Sequence, residues 1–284
     1  MPERMQRFCA NYCGSKLLIE SDHADVVRFA RLYLQAFEIV DIDESDSETA
    51  DGASVLRCTA VAAGQYRVSS PQGEGLHDDL DCMAVVDMAM RHWLAMALAV
   101  REELRAYHAA AVVIADRGWA IGGPSGAGKS TLALACHGMG WPVLSDEYTL
   151  CTLTTAAAIV EPYPRPWDVL HTDLDPHVSR GAQACEAIGY PVRRPHGSVV
   201  PSTYWVPRAG FCLRRDYPFG GWVLLDREGP VLEELGEDTL LPAGLRYPVY
   251  RLGRADTGRM LQQLERLAHS TEFKDAPVAG ANGG

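Results

Sequence analysis

The sequence predicts an α/β fold in which a small α+β unit precedes a larger α/β domain. Two apolar runs, at residues 109–115 and 119–121, are separated by a turn signal, and glycines follow the second run at once. A helical pattern at residues 132–136 comes next, and residues 142–145 have the composition of a further strand. Buried strands that alternate with a helix in this order are typical of an α/β core.

Residues 1–104 carry short strand and helix patterns, which we interpret as one small α+β unit. The patterns predict a strand at 17–19, a helix capped by Ser21 or Asp22, an exposed acidic loop at 41–52, a hairpin of 55–61 and 65–69, and a long helix from 78 to about 104.

Residues 105–272 form the predicted α/β domain, and residues 273–284 are a glycine-rich tail for which we expect disorder. Beyond Glu161 the chain is rich in proline and arginine, which obscures periodicity up to about residue 218. The clear patterns after that point predict strands at 222–225 and 249–252 and a closing helix at 256–269.

Composition and charge exclude several classes of function. The formal net charge of the 284 residues is −11, so the overall field repels polyanions, and nucleic acid is not an expected partner. The longest apolar run, residues 93–100, is too short to cross a bilayer, so no membrane association is expected. Eight cysteines lack the paired short spacing of a zinc or redox site. We therefore expect a cytoplasmic protein with reduced thiols.

A glycine-rich segment after the second apolar run fits the pattern G-x-x-x-x-G-K-[ST]. Its residues are Gly123, Pro124, Ser125, Gly126, Ala127, Gly128, Lys129 and Ser130, and Thr131 follows. Glycines let the backbone wrap a phosphate with its N–H groups, and the next helix directs the positive end of its dipole at the same anion. Lys129 can reach the β and γ phosphates, while the Ser130 hydroxyl binds Mg²⁺. The segment predicts a P-loop for ATP with Mg²⁺, although the residues alone do not distinguish ATP from GTP.

Asp146 and Glu147 follow the strand that comes after the P-loop helix. Ligands in α/β proteins gather at the carboxyl ends of strands, and adjacent residues that leave a strand point in different directions. One carboxylate could therefore hold Mg²⁺ while the other accepts a proton from a hydroxyl group. A solvated turn is the alternative for such a pair. Beside a P-loop, the pair predicts a phosphotransferase site.

Three segments together resemble the catalytic domain of HPr kinase/phosphorylase: His108, the nine residues 123–131, and Leu-Ser-Asp-Glu at 144–147. The chain is more similar still to HPr-kinase-related kinases of bacterial biosynthetic clusters, some of which phosphorylate lasso-peptide precursors. The resemblance implies the P-loop kinase fold of the HPr kinase C-terminal domain. It also implies that Asp146 is the general base, that His108 lies beside it, and that Ser130 and Glu147 hold magnesium.

The chain departs from the authentic enzymes at three positions. Glu147 replaces an aspartate, Ala109 stands where they have glycine, and Thr131 stands where they have glutamate. The downstream segment associated with phosphorylase action has no match here. The resemblance therefore implies kinase chemistry rather than the reverse phosphorolysis, and an acceptor other than HPr.

The expected acceptor is a hydroxyl group, with a serine of a peptide or protein first and a small hydroxylated metabolite second. Arg165, in the proline-rich region, is a candidate to bind an anionic acceptor, and a surface arginine is the alternative interpretation. A regulator that binds nucleotide without transferring phosphate is a third possibility. The resemblance also implies a homo-oligomer, because the related enzymes form oligomers, although no segment identifies an interface.

Overall fold

The structure is a computed structural model. It describes residues 5–12, 15–34, 38–42, 54–62, 65–69, 75–80, 82–163, 165–169, 175–193, 199–208, 216–226, 232–238, 247–253 and 255–269. The chain divides into two compact units, which are Met1–Glu102 with Tyr190–Pro201 and Glu103–Gly189 with Ser202–Gly284. Within the described residues, no helix is both long enough and apolar enough to cross a membrane.

The first unit is built on a sheet whose strands, in the described part of the chain, have the order β3-β1-β2-β4-β5-β6. Its elements are β1 (Gln6–Tyr12), β2 (Ser15–Ser21), α1 (Ala24–Tyr33), β3 (Glu38–Asp41), β4 (Ser54–Ala62), β5 (Gln65–Ser69), β6 (Gly75–Leu80) and α2 (Cys82–Val100). The β2–β4 pair is parallel, and the other pairs are antiparallel. Both helices contact β2 and each other, and the apolar residues Leu17 and Ile19 of β2 are buried.

Local patterns predicted part of this unit correctly. The strand at 17–19 is confirmed as β2, and the hairpin is confirmed as the antiparallel pair β4–β5. The prediction that Ser21 or Asp22 caps α1 was wrong, because His23 occupies the N-cap position. The Ser21 hydroxyl instead accepts the N–H of His23. The predicted acidic loop begins too early, since Asp41 belongs to β3, and residues 43–52 lie outside the described residues.

The predicted helix from 78 to about 104 was too long at both ends. Residues 78–80 belong to β6, which pairs with β5, and Leu104 begins a strand of the second unit. Sheet pairing supplies backbone hydrogen bonds that a helix end would lack, so tertiary contacts override the local pattern. Strands β1 and β3 were not predicted.

The second unit holds a mixed sheet of nine strands within the described residues, so a mixed α/β architecture is confirmed. Its elements are β7 (Leu104–Tyr107), β8 (Ala110–Ile114), β9 (Arg117–Gly122), α3 (Lys129–Gly138), β10 (Val143–Ser145), β11 (Thr149–Leu153), β12 (Ala158–Glu161), β13 (Trp167–Asp168), α4 (Pro176–Gln183), β16 (Tyr217–Asp226), β17 (Glu233–Asp238), β18 (Tyr247–Gly253) and α5 (Thr257–His269). Strands β14 (Cys185–Arg193) and β15 (Val199–Pro207) belong to it only in part, because residues 190–193 and 199–201 fall in the first unit.

The strand order of this sheet places β16 at its centre and β9 beside it. The order is β10-β8-β9-β16-β12-β11-β7, with β18 also paired to β16 and β17 paired to β18. The pairs β9–β16 and β16–β18 are parallel, whereas β8–β9 and β10–β8 are antiparallel. A separate sheet has the order β13-β15-β14.

Strand β8 is buried on both faces, which explains its continuous apolar run. Val112 belongs to the core that α3 and α5 cover, and Ala111 and Val113 belong to the core on the other face. Helix α3 contacts β8, β10, α4 and α5. The helix that follows the glycine-rich segment is therefore fixed by packing along its length.

Several predicted elements of this unit are confirmed, namely the β8–β9 hairpin, α3, β10, strands β16 and β18, and helix α5. The hairpin turn was predicted one residue too late, because the loop is Ala115–Asp116, with positive φ angles of 49° and 59°. Strands β7, β11, β12, β13, β14, β15 and β17 and helix α4 were not predicted. The tail at 273–284 lies outside the described residues.

Candidate functional site

The glycine-rich loop connects the interior strand β9 to α3. Strand β9 ends at Gly122, and α3 begins at Lys129. Gly123, Gly126 and Gly128 have φ angles of 147°, 75° and 100°, a region that residues with a side chain rarely adopt. Gly128 occupies the N-cap position and has no side chain to cap the helix, so the loop leaves the first-turn N–H groups to an outside acceptor.

The residues of the loop differ in exposure. Pro124, Ser125 and Gly126 are exposed, whereas Ala127 and Gly128 are half-buried. Ser130 and Thr131, in the first turn of α3, are also half-buried. Solvent therefore reaches the tip of the loop and the first turn of the helix, where a phosphate would bind to backbone N–H groups.

Lys129 turns back over the loop that precedes it. Its side chain is buried, and Nζ donates hydrogen bonds to the carbonyl oxygens of Gly123 at 2.9 Å and Pro124 at 3.4 Å. Burial lowers the pKa of the ammonium group, and the charge of Asp146 opposes this change. A buried positive charge therefore lies over the loop and within the field of Asp146.

Asp146 directly follows β10, and Ser145, the last residue of that strand, forms hydrogen bonds within the next turn. The Ser145 hydroxyl accepts the N–H groups of Glu147 at 3.4 Å and Tyr148 at 3.1 Å. The Asp146 residue is only 5% exposed, and within the described part of the chain its Oδ1 atom has no hydrogen-bond partner.

Burial raises the pKa of Asp146 to about 6, because removal from water disfavours the charged form. The positive charge of Arg165 and a hydrogen bond from the Ser130 hydroxyl oppose this rise, and the charge of Asp168 adds to it. A carboxyl group with a pKa close to neutral can accept a proton and later release it.

Arg165 lies against both acidic residues. Its Nε atom is 3.8 Å from Asp146 Oδ1, and its Nη1 atom contacts Glu147 Oε2. The Arg165 side chain is 8% exposed and that of Glu147 is 24% exposed. We expected the two carboxylates to point in different directions, but both approach the same guanidinium group. Two residues before Arg165, the Tyr163 N–H donates to the Leu144 carbonyl at 2.8 Å, which ties this part of the chain to β10.

His108 lies between β7 and β8 and is exposed. Its ring centroid is 6.3 Å from that of Tyr148, two residues beyond Asp146. The groups that move the pKa of Asp146 are Arg165, Ser130 and Asp168. The structure thus brings His108 to the neighbourhood of the acidic pair, and its action on Asp146 stays a prediction.

Asp168 is a site residue that sequence reasoning missed. It is exposed in the short strand β13, and its charge reaches Asp146. The only signal in the sequence is its position three residues after Arg165. In a segment without clear periodicity, that spacing did not distinguish it from a surface aspartate.

The donor set fits a magnesium ion that arrives with phosphate oxygens. Ser130, Asp146 and Glu147 offer hard oxygen atoms, and Asp146 Oδ1 is a buried acceptor without a hydrogen bond from the described residues. No group of three or more acidic, histidine or cysteine residues that could hold a metal occurs in the described ranges. Mg²⁺ in nucleotide sites is commonly held by one or two carboxylates plus substrate phosphates, so a larger protein cage is not required.

Comparison with known proteins identifies no family for this chain. The scan against protein-family models finds no match, and neither does the search of curated proteins. Among solved structures, the chain is similar to the Hpr(Ser) kinase/phosphatase from Coxiella burnetii, with 17% sequence identity and a TM-score of 0.41. The match covers 60% of this chain and 92% of that one. This is a distant likeness of fold, and it carries no argument about activity.

Proposed function

We propose that the chain is an ATP- and Mg²⁺-dependent kinase that transfers the γ-phosphate to a hydroxyl group. The observation that carries the proposal is the buried Asp146 carboxyl group, which has Arg165 Nε 3.8 Å from its Oδ1 atom and lies within the field of Lys129, the residue that begins α3 after the glycine-rich loop. A module that only bound nucleotide would have no need of a buried proton acceptor at this position. Keeping a carboxyl group there costs stability, so its presence favours a chemical role.

The residues have separate roles in the proposed reaction. The loop N–H groups and Lys129 bind the β and γ phosphates and offset their negative charge. Ser130 and Glu147 hold Mg²⁺, which when bound neutralises charge that develops on the phosphate oxygens. Asp146 accepts the proton of the acceptor hydroxyl as its oxygen bonds to the γ-phosphorus. The bond from that phosphorus to the bridging oxygen breaks, and ADP leaves with the electron pair.

A serine of a peptide or protein is the acceptor that we propose first. The resemblance of residues 123–131 and 144–147 to peptide and protein kinases supports this choice. The departures at Ala109, Thr131 and Glu147 support the forward reaction and an acceptor other than HPr. A small hydroxylated metabolite is the alternative acceptor.

The test is incubation of the protein with ATP labelled in the γ-phosphate, Mg²⁺, and the products of neighbouring genes. Label recovered as phosphoserine in a peptide or protein is the expected result. Label in a small molecule would select the metabolite kinase instead. Nucleotide binding without acceptor-dependent ADP formation would contradict the kinase proposal and favour a nucleotide-binding regulator.

A further inference from the structure

Arg165 lies against Asp146 and Glu147, and its positive charge offsets their negative charges. Its guanidinium group contacts Glu147 Oε2 and lies 3.8 Å from Asp146 Oδ1 through Nε. Its side chain is only 8% exposed, so it is held inside the site rather than in solvent. A buried charge is stable only when opposite charges compensate it, and here the two carboxylates do so.

The same carboxylate oxygens are those that a divalent cation would use. A guanidinium group in contact with Glu147 occupies one of its two oxygens and opposes the approach of a second positive charge. Lys129 adds a further positive charge within the field of Asp146. Asp146 and Glu147 are thus matched by two cationic side chains, and the third carboxylate that reaches Asp146, that of Asp168, is exposed to solvent, which screens it. The buried part of the site therefore offers a bare metal ion little net attraction.

A nucleoside triphosphate changes this balance. Its phosphates carry several negative charges and supply oxygen ligands of their own, so they can take over Lys129 and the guanidinium group as partners. Arginine suits such an exchange, because its planar donor groups match carboxylate and phosphate oxygens equally well.

We propose that Arg165 is a positioning residue that holds Asp146 and Glu147 in place of a divalent cation, and so makes metal binding depend on the triphosphate. This inference rests on the proposed function, since it takes Glu147 as a metal ligand. It assigns to Arg165 a role within the enzyme's own metal site, in place of the anionic-acceptor role that the sequence suggested. In this role, Arg165 prevents the site from filling with metal that carries no nucleotide.

The test measures Mn²⁺ binding directly, by electron paramagnetic resonance of free and bound ion, without acceptor or turnover. Arg165→Gln removes the charge and retains hydrogen-bonding capacity, and Arg165→Lys retains the charge. The matched control is Arg259→Gln, which alters an exposed arginine of α5. Each protein is titrated alone and with a non-hydrolysable ATP analogue.

In the absence of nucleotide, Arg165→Gln should bind Mn²⁺ at least about tenfold more tightly than wild type, because one positive charge no longer opposes the ion. Arg165→Lys should show a smaller increase, and Arg259→Gln should match wild type. Equal Mn²⁺ affinity in wild type and Arg165→Gln would overturn the proposal. A purely structural arginine would alter thermal unfolding without tightening metal binding.

Wild-type protein provides a second readout in case Arg165→Gln fails to fold. Its Mn²⁺ affinity should rise at least about tenfold when the ATP analogue is present, beyond the Mn²⁺ that the analogue binds in a matched titration without protein. Equally tight Mn²⁺ binding without nucleotide would overturn the role of Arg165 even if no variant could be purified. Failure of the kinase proposal is distinguishable, because nucleotide-dependent Mn²⁺ binding without any phosphate transfer would refute the transferase and leave the Arg165 assignment intact.

Discussion

Replacing Asp146 with asparagine should make the protein more stable while it damages the site. Burial raises the pKa of Asp146 from its ordinary 3.8 to about 6, so the folded state holds the proton more tightly than the unfolded state. This difference corresponds to about 3 kcal/mol of free energy against the charged carboxylate at neutral pH. Asparagine has nearly the same shape and carries no charge. We therefore expect Asp146→Asn to raise the free energy of unfolding at pH 8 by about 2 to 3 kcal/mol.

The sign of the pH dependence follows from proton binding. Between pH 4 and 6, roughly, the folded wild-type protein binds more protons at Asp146 than the unfolded chain, so the contribution of this group to stability falls as pH rises. Above about pH 6 the penalty is complete and constant. The advantage of Asp146→Asn should therefore be full at pH 8, about half as large at pH 5, and absent well below pH 4.

Scanning calorimetry in excess chelator measures this directly, because no metal then competes for the carboxylate. The melting temperature of Asp146→Asn should exceed that of wild type by on the order of 5 °C at pH 8. The control Glu265→Gln makes the same chemical change at an exposed position of α5 and should stay within about 1 °C of wild type. No gain at pH 8, or a gain that is equally large at pH 5, would refute the burial argument.

Three further predictions address the loop, the metal and the hairpin. Lys129→Ala should weaken ATP binding at least about tenfold in calorimetry and abolish transfer, since it removes the charge over the loop; unchanged affinity and turnover would show that the loop binds no triphosphate. Excess chelator should stop phosphate transfer, and Mg²⁺ or Mn²⁺ should restore it; full activity in chelator would exclude a metal-dependent reaction. Ala115→Asn should raise the free energy of unfolding by about 1 kcal/mol, because asparagine tolerates the positive φ of 49° better than alanine; a loss of stability would argue against this turn.

Local sequence patterns predicted the parts of the site that depend on neighbours in the chain. The apolar runs of β8 and β9, the glycines of the loop and the short strand β10 each carry their own signal. These elements place Lys129 at the start of α3 and Asp146 at the end of β10. The sequence alone was therefore enough to predict the positions of Lys129 and Asp146.

The remainder of the site depends on contacts between distant segments. Arg165 contacts Asp146 and Glu147 from a segment that also bonds β10 through the Tyr163 N–H and the Leu144 carbonyl, and no local pattern encodes these contacts. Asp168 approaches Asp146 through the same segment. In the first unit, pairing with β5 made a strand of residues 78–80, where periodicity alone favoured a helix. Long-range pairing therefore limited the prediction in both units.

The central claim is that Asp146 accepts the proton of an acceptor hydroxyl during phosphate transfer. The most direct measurement compares wild type and Asp146→Asn for ATP affinity, by titration with a fluorescent analogue, and for transfer of labelled γ-phosphate to the same acceptor. Transfer should fall by about 10² to 10⁴, towards the lower figure because the transition state of phosphoryl transfer is loose, while ATP affinity changes little. Equal transfer rates in the two proteins would remove Asp146 from the mechanism and contradict the account.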